Sequence, residues 1–443
     1  MQNNIIKLAL ISASVIFILI IRFYFVNHYA MPVPFWDEWD SEGDFLLRPW
    51  VEGTLRISDL WKLHNEHRIF PTRLLSLASY MVNGQWNNLV SARINVILAA
   101  VIPATLLGFL FRFIGLNSNK WLILPVLIAQ FTLPFSFENM LVGFQSQFYF
   151  LILFTVIAVG LAVTYTESAT AKVIVFILCF LSIVTMASGI LTPLAVAGVY
   201  VLHSLDKHER AMKNLLFAAA LVIVAGLAYM QIPHIAAHNM YRARSISEWT
   251  HSFLRILSWP VGPHNWIAAP LWSPGLIAVP FLIKHKRLCK SDLFMAGCYM
   301  WSFAQAMAIA YGRGQELSSV PSRYTELLSI GLVANAWFAL RYIEEYKKPK
   351  WQKYIILALF PLFFHGHKKR FKFDMKDIQR VHEYSVIQTD NVTSYLQTHN
   401  PVYLQQPAMH IPYPDSVRLK KLLDNHTIRK LLPPEISGIS SLH

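Results

Sequence analysis

Long uncharged stretches recur along the whole chain, and they restrict its fold more than any other feature of the sequence. Several of them approach the roughly 20 apolar residues that a membrane-spanning helix requires. Only 14% of the 443 residues are charged, against about 25% in typical soluble domains. The sequence therefore predicts an all-α polytopic membrane protein and argues against a soluble multidomain protein.

The uncharged stretches predict about nine to eleven membrane-spanning helices, because the fifth and sixth candidates share one stretch and the last candidate is short. The candidate spans are residues 5–26, 94–111, 121–135, 147–164, 173–187, 189–204, 214–232, 264–283, 293–311, 325–341 and 352–365. The fifth and sixth spans share one stretch that "ASGILTP" interrupts, which is typical of two helices or of a re-entrant hairpin. The first span is predicted to be an uncleaved anchor, with Lys7 and Arg22 reaching the membrane interface from its two ends.

The distribution of basic residues indicates how the spans are oriented. With the N-terminus inside, the segments "HSLDKHERAMK", "KHKRLCK" and "RYIEEYKKPKWQK" are cytoplasmic and hold most of the Lys and Arg of the short loops. The net charge of +14 is therefore largely a topological signal, and we expect no nucleic-acid partner. One segment disagrees, because the strongly basic "HGHKKRFKF" lies just past the last span and falls on the outer side.

This topology places four sizeable pieces of the chain on the outer side of the membrane. They are residues 27–93, a short loop around "FSFENMLVGFQSQ", residues 233–263 and residues 366–443. We therefore divide the chain into a transmembrane domain, residues 1–365, and a C-terminal domain. The C-terminal piece mixes "YSVIQT" with the helical pattern "SVRLKKLLDNHTIRKLL", and it is predicted to form a small α/β or mixed domain. The chain has no internal repeat.

The outer segment "PFWDEWD" places Asp37, Glu38 and Asp40 among aromatic residues. Acids at this place would also suit the positive end of a helix, which is a purely structural role. If the segment is helical, Asp37 and Asp40 share one face, and Trp36 and Trp39 share another. Aromatic rings can cover the apolar faces of a hexose while carboxylates accept hydrogen bonds from its hydroxyl groups. The segment is therefore a candidate site for sugar binding and catalysis.

The same loop continues with "HNEHRIFPTR", which brings together His64, Glu66, His67 and Arg68. Its spacing matches neither H-E-x-x-H nor H-x-x-E-H, so it gives no support to a zinc site or to another divalent metal. We consider these four side chains candidates for substrate binding. The alternative is a solvated loop whose basic groups contact lipid phosphates.

Three amides and an acid lie at the outer end of a predicted helical hairpin. "FENMLVGFQSQF" contains Glu138, Asn139, Gln145 and Gln147. Capping of helix ends would explain Glu138 and Asn139. It explains the two glutamines less well, because they are two residues apart and flanked by aromatic residues. Hydrogen bonding to sugar hydroxyls is therefore the functional interpretation of this segment.

"AYGRGQELSSVPSRYTELL" puts Arg313 and Arg323 at the outer end of a span, against the positive-inside tendency. Arginine can hold a phosphate group with two parallel hydrogen bonds, so both are candidates for phosphate binding. Contact with lipid headgroups is the structural alternative. Arg242, Arg244 and His264 are weaker candidates that fit structural roles better.

The order of these motifs resembles the GT-C class of polyprenyl-phosphate-sugar-dependent glycosyltransferases. The chain is most similar to the serotype-converting O-antigen glucosyltransferases of temperate phages and prophages. A first loop with "PFWDEWD" and "HNEHR", an "ENMLVGFQ" element, an "ASGI" break and a "GR…SRY" element carry the resemblance. It covers essentially the whole chain and implies about nine spans, a re-entrant segment and a C-terminal external domain.

The resemblance implies a multi-pass enzyme of the bacterial inner membrane with its active site facing the periplasm. It would move glucose from undecaprenyl-phosphate-glucose to a sugar of a lipid-linked O-antigen unit, with inversion and without a cofactor. A lipid-glucose synthase and a lipid-glucose flippase would be its functional partners. Asp37 is the first candidate for the base, Glu38 the second and Asp40 an orienting group, while Arg313 and Arg323 would hold the phosphate.

Two other classes of protein have the same general features. A transporter or flippase of lipid-linked saccharide would also be polytopic, but transporters often have related halves and polar groups near the midplane of the membrane. The lack of a repeat and the acids at the outer rim favour the enzyme. The third class is a non-catalytic membrane scaffold for polysaccharide assembly.

Overall fold

The computed structural model of the protein describes residues 2–114, 119–206, 211–315, 317, 319–345 and 350–438. These residues form helices, turns and loops, and no β-strand occurs among them. The α-helices of the described residues are, in chain order, α1 (Gln2–Tyr29), α2 (Arg48–Val51), α3 (Phe70–Asn83), α4 (Asn88–Phe113), α5 (Ile123–Thr132), α6 (Phe137–Leu141), α7 (Ser146–Thr164), α8 (Ala169–Ile183), α9 (Leu191–Asp206), α10 (Ala211–Tyr229), α11 (Ile246–Leu257), α12 (Ala268–Lys284), α13 (Lys290–Arg313), α14 (Ser322–Glu345), α15 (Lys350–Thr398), α16 (Ser416–Asp424), α17 (His426–Leu431) and α18 (Pro434–Ser437).

Eight helices within the described ranges are long and apolar enough to cross a membrane. They lie in α1, α4, α7, α9, α10, α12, α13 and α14. Large apolar side chains on the outside of the bundle, such as Leu8 of α1 and Leu216 of α10, are more than 60% exposed, as expected for helices that face lipid. The prediction of a polytopic, helical membrane protein is therefore confirmed.

Three predicted spans differ from the helices that form. The span predicted at residues 121–135 contains α5, which has only 10 residues, and the span at 173–187 overlaps α8, which has 15 and begins four residues earlier. The span at 352–365 lies within the much longer α15. The ambiguous stretch around "ASGILTP" forms two separate helices, α8 and α9, joined by a 3-10 turn at Ala187–Ile190. Gly189 allows this turn, because a Cβ atom there would lie 1.8 Å from the carbonyl oxygen of Ser182.

The loops that carry the candidate site residues meet at one end of the helix bundle, which we call the loop end. There the backbone N–H of Ala187 donates to Nδ1 of His67 at 3.1 Å. The backbone N–H of Trp36 donates to the carbonyl oxygen of Pro412 at 2.7 Å. Arg370 of α15 donates to the carbonyl oxygen of Val320, just before α14, at 3.2 Å. The first outer loop, the turn before α9, the segment before α14 and the C-terminal residues thus lie together.

The predicted α/β or mixed fold of residues 366–443 is wrong, because the described part of this region is helical. The 49-residue helix α15 passes without a break through the predicted domain boundary at residue 365, and only short helices follow it. "YSVIQT" contains residues that favour strands, but packing often overrides such a preference. Ile378, Val392 and Tyr395 on one side of α15 are 0 to 1% exposed, and their burial holds the segment in a helix.

The first outer loop and the C-terminal residues share one hydrophobic core at the loop end. Trp39 packs edge-on against Trp86, with ring centroids 5.2 Å apart, and both belong to a cluster that includes Val392, Leu419 and Ile428. Burial of such large apolar side chains is the dominant stabilising contribution in a core of this kind. The two outer pieces therefore form one packed unit.

Arg22 does not reach the membrane interface, and that prediction was wrong. Its side chain is 2% exposed, and its Nη2 atom lies 2.7 Å from Oε1 of Glu326 in α14. Its Nε also donates to the carbonyl oxygen of Phe131 at 2.6 Å. A buried charge needs such partners, and no local pattern indicates a partner 304 residues away.

Candidate functional site

A cavity of about 690 Å³ opens at the loop end. It lies between the residues that follow α1, the short helix α6, the beginning of α14 and the middle of α15. Asp37, Gln145 and Arg323 contribute polar groups to its lining, and Trp36 contributes an exposed aromatic face. The rest of the wall is mixed. Its charged members are Glu138, Arg370, Asp377 and Arg380, and its larger apolar members are Phe35, Phe137, Leu141, Phe144, Val320, Phe373 and Met409.

A sharp turn at Trp36 separates the residues of "PFWDEWD" from one another. Trp36 has a left-handed φ of 50°, and the π-helical segment Trp39–Leu47 begins just after it. The expected aromatic face of Trp36 and Trp39 therefore does not form. Trp36 is 42% exposed and lines the cavity, whereas Trp39 is fully buried and donates from Nε1 to the carbonyl oxygen of Pro34 at 2.8 Å.

Glu38 is fully buried and holds two chain segments together. Its Oε2 accepts the backbone N–H of Phe35 at 2.6 Å, and its Oε1 accepts the backbone N–H of Phe144 at 3.0 Å. Burial, together with the nearby carboxyl of Glu42, raises the pKa of Glu38 well above its usual range, although both backbone hydrogen bonds oppose this. This geometry gives Glu38 a structural role rather than contact with a substrate.

Asp40 points away from the cavity and binds the C-terminal residues. Its Oδ1 accepts from Nη2 of Arg418 at 2.8 Å and from Nε of the same guanidinium at 3.1 Å. The hydroxyl of Tyr413 donates to its Oδ2. Arg418 also pairs with Asp44 at 2.6 Å. Asp40 is therefore part of the connection between the first loop and the C-terminal segment.

Asp37 is the one acid of "PFWDEWD" that is exposed at the cavity. Its side chain is 55% exposed, and its Oδ2 lies 3.9 Å from Nε2 of His64. The polar contact with His64 and the positive charge of Arg323 lower the pKa of Asp37 below its usual range, against the opposing effect of partial burial. Asp37 is thus ionised at neutral pH and able to accept a proton.

The "HNEH" residues form a tight turn beside Asp37. The backbone groups of His64 and His67 exchange two hydrogen bonds, of 2.7 and 2.9 Å, which directs both imidazoles to the same side. Glu66, at the tip, binds Nδ1 of His238 from the loop before α11. Burial lowers the pKa of His67 to about 4. Its Nδ1 accepts the N–H of Ala187, so the neutral ring carries its proton on Nε2.

Arg68 and Arg73 of the same loop have partners within the protein. Arg68 donates to the carbonyl oxygen of Trp61 at 2.9 Å and to Oε1 of Gln231 at 3.5 Å. Arg73 donates to the carbonyl oxygens of Asp59, Leu60 and Lys62, and it stacks on Phe45 at 4.8 Å. These contacts connect the loop to its neighbours, and neither arginine lines the cavity.

Glu138 caps the beginning of α14. Its Oε2 accepts the hydroxyl of Ser322 at 2.7 Å and the backbone N–H of Arg323 at 3.0 Å, which pairs N–H and O–H groups that the helix end leaves free. Asn139 donates to the carbonyl oxygen of Arg323 at 2.9 Å. Glu138 therefore has the capping role considered for it and also lines the cavity, whereas Asn139 contacts the same helix start without capping it.

The two glutamines lie together, but only one of them lines the cavity. Nε2 of Gln147 donates to Oε1 of Gln145 at 3.4 Å. Gln145 is partly exposed and faces the cavity, whereas Gln147 is 5% exposed. Gln147 therefore supports the orientation of Gln145 from behind.

Tyr324 connects the two outward arginines. Nε of Arg313 donates to the hydroxyl of Tyr324 at 3.3 Å, and the Arg313 guanidinium also stacks on Tyr241 at 4.8 Å. The guanidinium of Arg323 lies 5.3 Å from the Tyr324 ring and 3.7 Å from Oε1 of Glu138. Arg323 lines the cavity, while Arg313 lies on the far side of Tyr324, close enough to His67 to influence its charge.

Residues of α15 also line the cavity, and no sequence motif predicted them. They are Arg370, Phe373, Asp377, Arg380, Val381, Tyr384, Ser385 and Gln388. All belong to the tail that was predicted to be a separate domain. The one signal that could have drawn attention to them is "HGHKKRFKF", the basic segment that conflicts with the positive-inside tendency in the predicted topology.

The weaker candidates make local contacts. The guanidinium of Arg242 lies over the ring of Tyr311 at 5.9 Å, and the backbone N–H of Arg244 donates to Glu248 at 2.7 Å. His264 precedes the turn before α12. Within the described ranges, no group of three or more His, Cys, Asp or Glu side chains is placed to hold a metal ion.

The arrangement combines an ionised carboxylate, an exposed indole, an amide and a guanidinium around one cavity. Such a set can accept a proton from a hydroxyl group, stack on an apolar sugar face and bind a phosphate. Comparison with known proteins finds no matching family model, no matching curated protein and no matching solved structure.

Proposed function

We propose that this protein is a glycosyltransferase of the bacterial inner membrane. It transfers glucose from undecaprenyl-phosphate-glucose to a sugar of a lipid-linked O-antigen unit on the periplasmic side. The observation that carries the proposal is the position of Asp37. This exposed carboxylate lies at a cavity that also presents Trp36 and Arg323, next to helices that are suited to cross a membrane.

The proposed chemistry needs one base and one phosphate ligand. A carboxylate oxygen of Asp37 takes the proton of the acceptor hydroxyl, and the acceptor oxygen attacks the anomeric carbon. The bond from that carbon to the phosphate oxygen breaks, and undecaprenyl phosphate leaves with the electron pair. Arg323 stabilises the charge of the departing phosphate. Attack from the side opposite the phosphate inverts the anomeric configuration.

The remaining lining residues suit the two substrates. Trp36 offers an aromatic face to a sugar ring, and Gln145 offers an amide to its hydroxyl groups. The apolar wall that includes Phe137, Leu141 and Phe373 suits the first isoprene units of the lipid carrier. Glu38 and Asp40 act on the loop rather than on the substrate, so Asp37 is the only acid of the motif that we assign to proton transfer.

The proposal is tested by Asp37→Asn in a host that makes undecaprenyl-phosphate-glucose and a defined O-antigen. Mass spectrometry of the lipopolysaccharide measures the added hexose. Loss of the base is expected to lower the transfer rate by about 10²- to 10⁴-fold, while the variant keeps the elution profile of the folded protein. The matched control is Asp377→Asn, which makes the same change to another acid of the cavity and is expected to reduce transfer less than tenfold. Unchanged transfer by folded Asp37→Asn would contradict the assignment.

A transporter of lipid-linked saccharide is the second candidate, and one observation favours it. The ion pair between Arg22 and Glu326 lies in the interior of the bundle, and charged groups within spanning helices often belong to transport pathways. If the unaltered protein adds no hexose to any of several O-antigen types, the transporter becomes the better explanation. Movement of a fluorescent lipid-linked sugar across proteoliposomes would then be the measurement.

A further inference from the structure

A second, smaller cavity of about 230 Å³ lies beside the first at the loop end. Its lining includes Arg255 at the end of α11, Trp259 in the loop that follows, and Lys369 and Arg370 of α15. Three of these four side chains are cationic. Phe373, Val320 and Arg370 line both cavities, so they form a common wall.

Two N–H groups at this cavity lack an acceptor. Nε of Arg255 is shielded from solvent and has no hydrogen-bond partner among the described residues. The side chain of Trp259 is 3% exposed, and its indole Nε1 likewise has no partner in that part of the chain. A buried donor without an acceptor costs about 1–3 kcal/mol, so each of these groups points to an acceptor that the described residues do not provide.

The positive charge at this cavity is only partly balanced. Arg370 pairs with Asp374 at 2.8 Å and also donates to Val320. Within the described ranges, Arg255 and Lys369 have no carboxylate within ion-pair distance. A ligand for this place should therefore be an anion, and it should present several oxygen acceptors to N–H groups that approach from different helices.

The location also accounts for "HGHKKRFKF", whose charge conflicts with the positive-inside tendency. Lys369 and Arg370 belong to this segment, and Gly366 packs closely on Val261 of the loop after α11. Pro263 and Val320 also line the cavity, and each lies two residues before a helix that is long and apolar enough to cross a membrane. Lipid headgroups lie at the ends of such helices. A phosphate bound there would offset the positive charge of this segment on the predicted outer side.

We propose that Arg255, Lys369 and Arg370, with the indole N–H of Trp259, form a binding site for a phosphate oxyanion. Its position next to the membrane boundary makes a lipid headgroup the natural source of that phosphate, and free phosphate is the other source. Arginine and lysine supply charge-assisted hydrogen bonds to such oxygens. This site does not depend on the proposed glucosyl transfer, because it involves neither Asp37 nor a sugar.

The test measures binding to the purified full-length protein in a neutral detergent, without any sugar substrate. The probes are dioctanoyl phosphatidic acid, dioctanoyl phosphatidylcholine and inorganic phosphate. The test variant is Arg255→Gln with Lys369→Gln. The matched control is Arg244→Gln with Lys372→Gln, which removes the same charge from α15 and from the loop before α11 but leaves the cavity lining intact.

Phosphatidic acid is expected to bind the unaltered protein and the control with similar Kd, and to bind the test variant about tenfold or more weakly. Weak binding of phosphatidylcholine would support the need for an accessible phosphate oxyanion. Inorganic phosphate that binds as tightly as phosphatidic acid, with the same loss in the test variant, would identify free phosphate as the ligand. If every probe binds the test variant as tightly as the control, the proposed phosphate-binding site is wrong. Lys369 is exposed, so Lys369→Gln alone keeps the test valid if the double variant does not fold.

Discussion

Three carboxylates within four residues of the first loop have three different surroundings. Asp37 is exposed at the cavity, Glu38 is buried between backbone N–H groups, and Asp40 pairs with Arg418. A side chain of one chemical type thus acts as a candidate base, an internal connector or an anchor, depending on its contacts. The turn at Trp36 is what separates these three roles.

The buried carboxyls of Glu38 and Glu42 predict an unusual pH dependence of stability. Burial raises the pKa of both, so the folded protein binds protons more tightly than the unfolded chain. The free energy of unfolding should therefore fall as pH rises above about 4.3, the pKa of an unfolded Glu, towards the folded values. Each pKa unit by which the folded value exceeds the unfolded value changes the free energy of unfolding by about 1.4 kcal/mol across this pH range.

Glu42→Gln removes one of these two groups and should flatten that decline. Glutamine can still bond to Ser76 and Trp86, which contact Glu42 now. The measurement is thermal unfolding in detergent between pH 4 and pH 8. Glu383→Gln is the matched control, because this acid is exposed. A decline with pH that is equally steep in Glu42→Gln and in the unaltered protein would contradict the prediction.

At this scale the sequence predicted the identity of a candidate base but not the roles of its neighbours. Asp37 could be chosen because acids between tryptophans on an outer loop are unusual. The roles of Glu38 and Asp40 depend on Phe144 and Arg418, which are 106 and 378 residues away. No local pattern reports such partners, so the three acids could not be separated from the sequence alone.

The turn between α8 and α9 is an element whose geometry depends on a single residue. A methyl group at Gly189 would lie 1.8 Å from the backbone oxygen of Ser182 and 2.9 Å from the backbone nitrogen of Ile183. Gly189→Ala should therefore lower the free energy of unfolding by about 3 kcal/mol. Gly226→Ala is the control, because nothing lies within 4 Å of its added carbon. Thermal unfolding in detergent compares the two variants. Equal stability would contradict the steric role of Gly189 in this turn.

The ion pair between α1 and α14 predicts strong coupling between two distant helices. Arg22→Gln or Glu326→Gln alone leaves a buried charge without its partner, which should cost about 3–5 kcal/mol. The double variant should lose much less than the sum of the two single losses. A double-mutant cycle of unfolding free energies measures this coupling. Additive losses would mean that the two side chains act independently.

Helices could be predicted from the sequence where they depend only on the residues of the helix itself. Hydropathy is a property of the stretch itself, so the long apolar helices could be found without knowledge of the packing. The tail was different, because "YSVIQT" has local strand propensity while Ile378 and Val392 on either side of it are buried in a helix. Those contacts determine that residues 350–398 form one continuous helix. Sequence patterns alone do not report these tertiary contacts.

For the whole molecule, the contacts at the loop end predict which residues share one side of the membrane. Single cysteines at Ile57 and Val417, which are 81% and 77% exposed, should react with a membrane-impermeant maleimide from the same side. A cysteine at Lys286, in the exposed turn between α12 and α13, should react only from the other side. The background replaces Cys179, Cys289 and Cys298 by serine or alanine. Opposite labelling of Ile57→Cys and Val417→Cys would refute this arrangement.

The connection between the first loop and the C-terminal residues has a consequence for how the protein is made. Asp40 and Tyr413 are in hydrogen-bonding contact across 373 residues of chain, and Trp36 is bound to Pro412. A ribosome releases the loop that carries Asp37 early, but the partners of that loop emerge only after every spanning helix has been inserted. The cavity can therefore take its final shape only at a late stage of synthesis, and a chain that stops before residue 412 leaves the loop without these bonds.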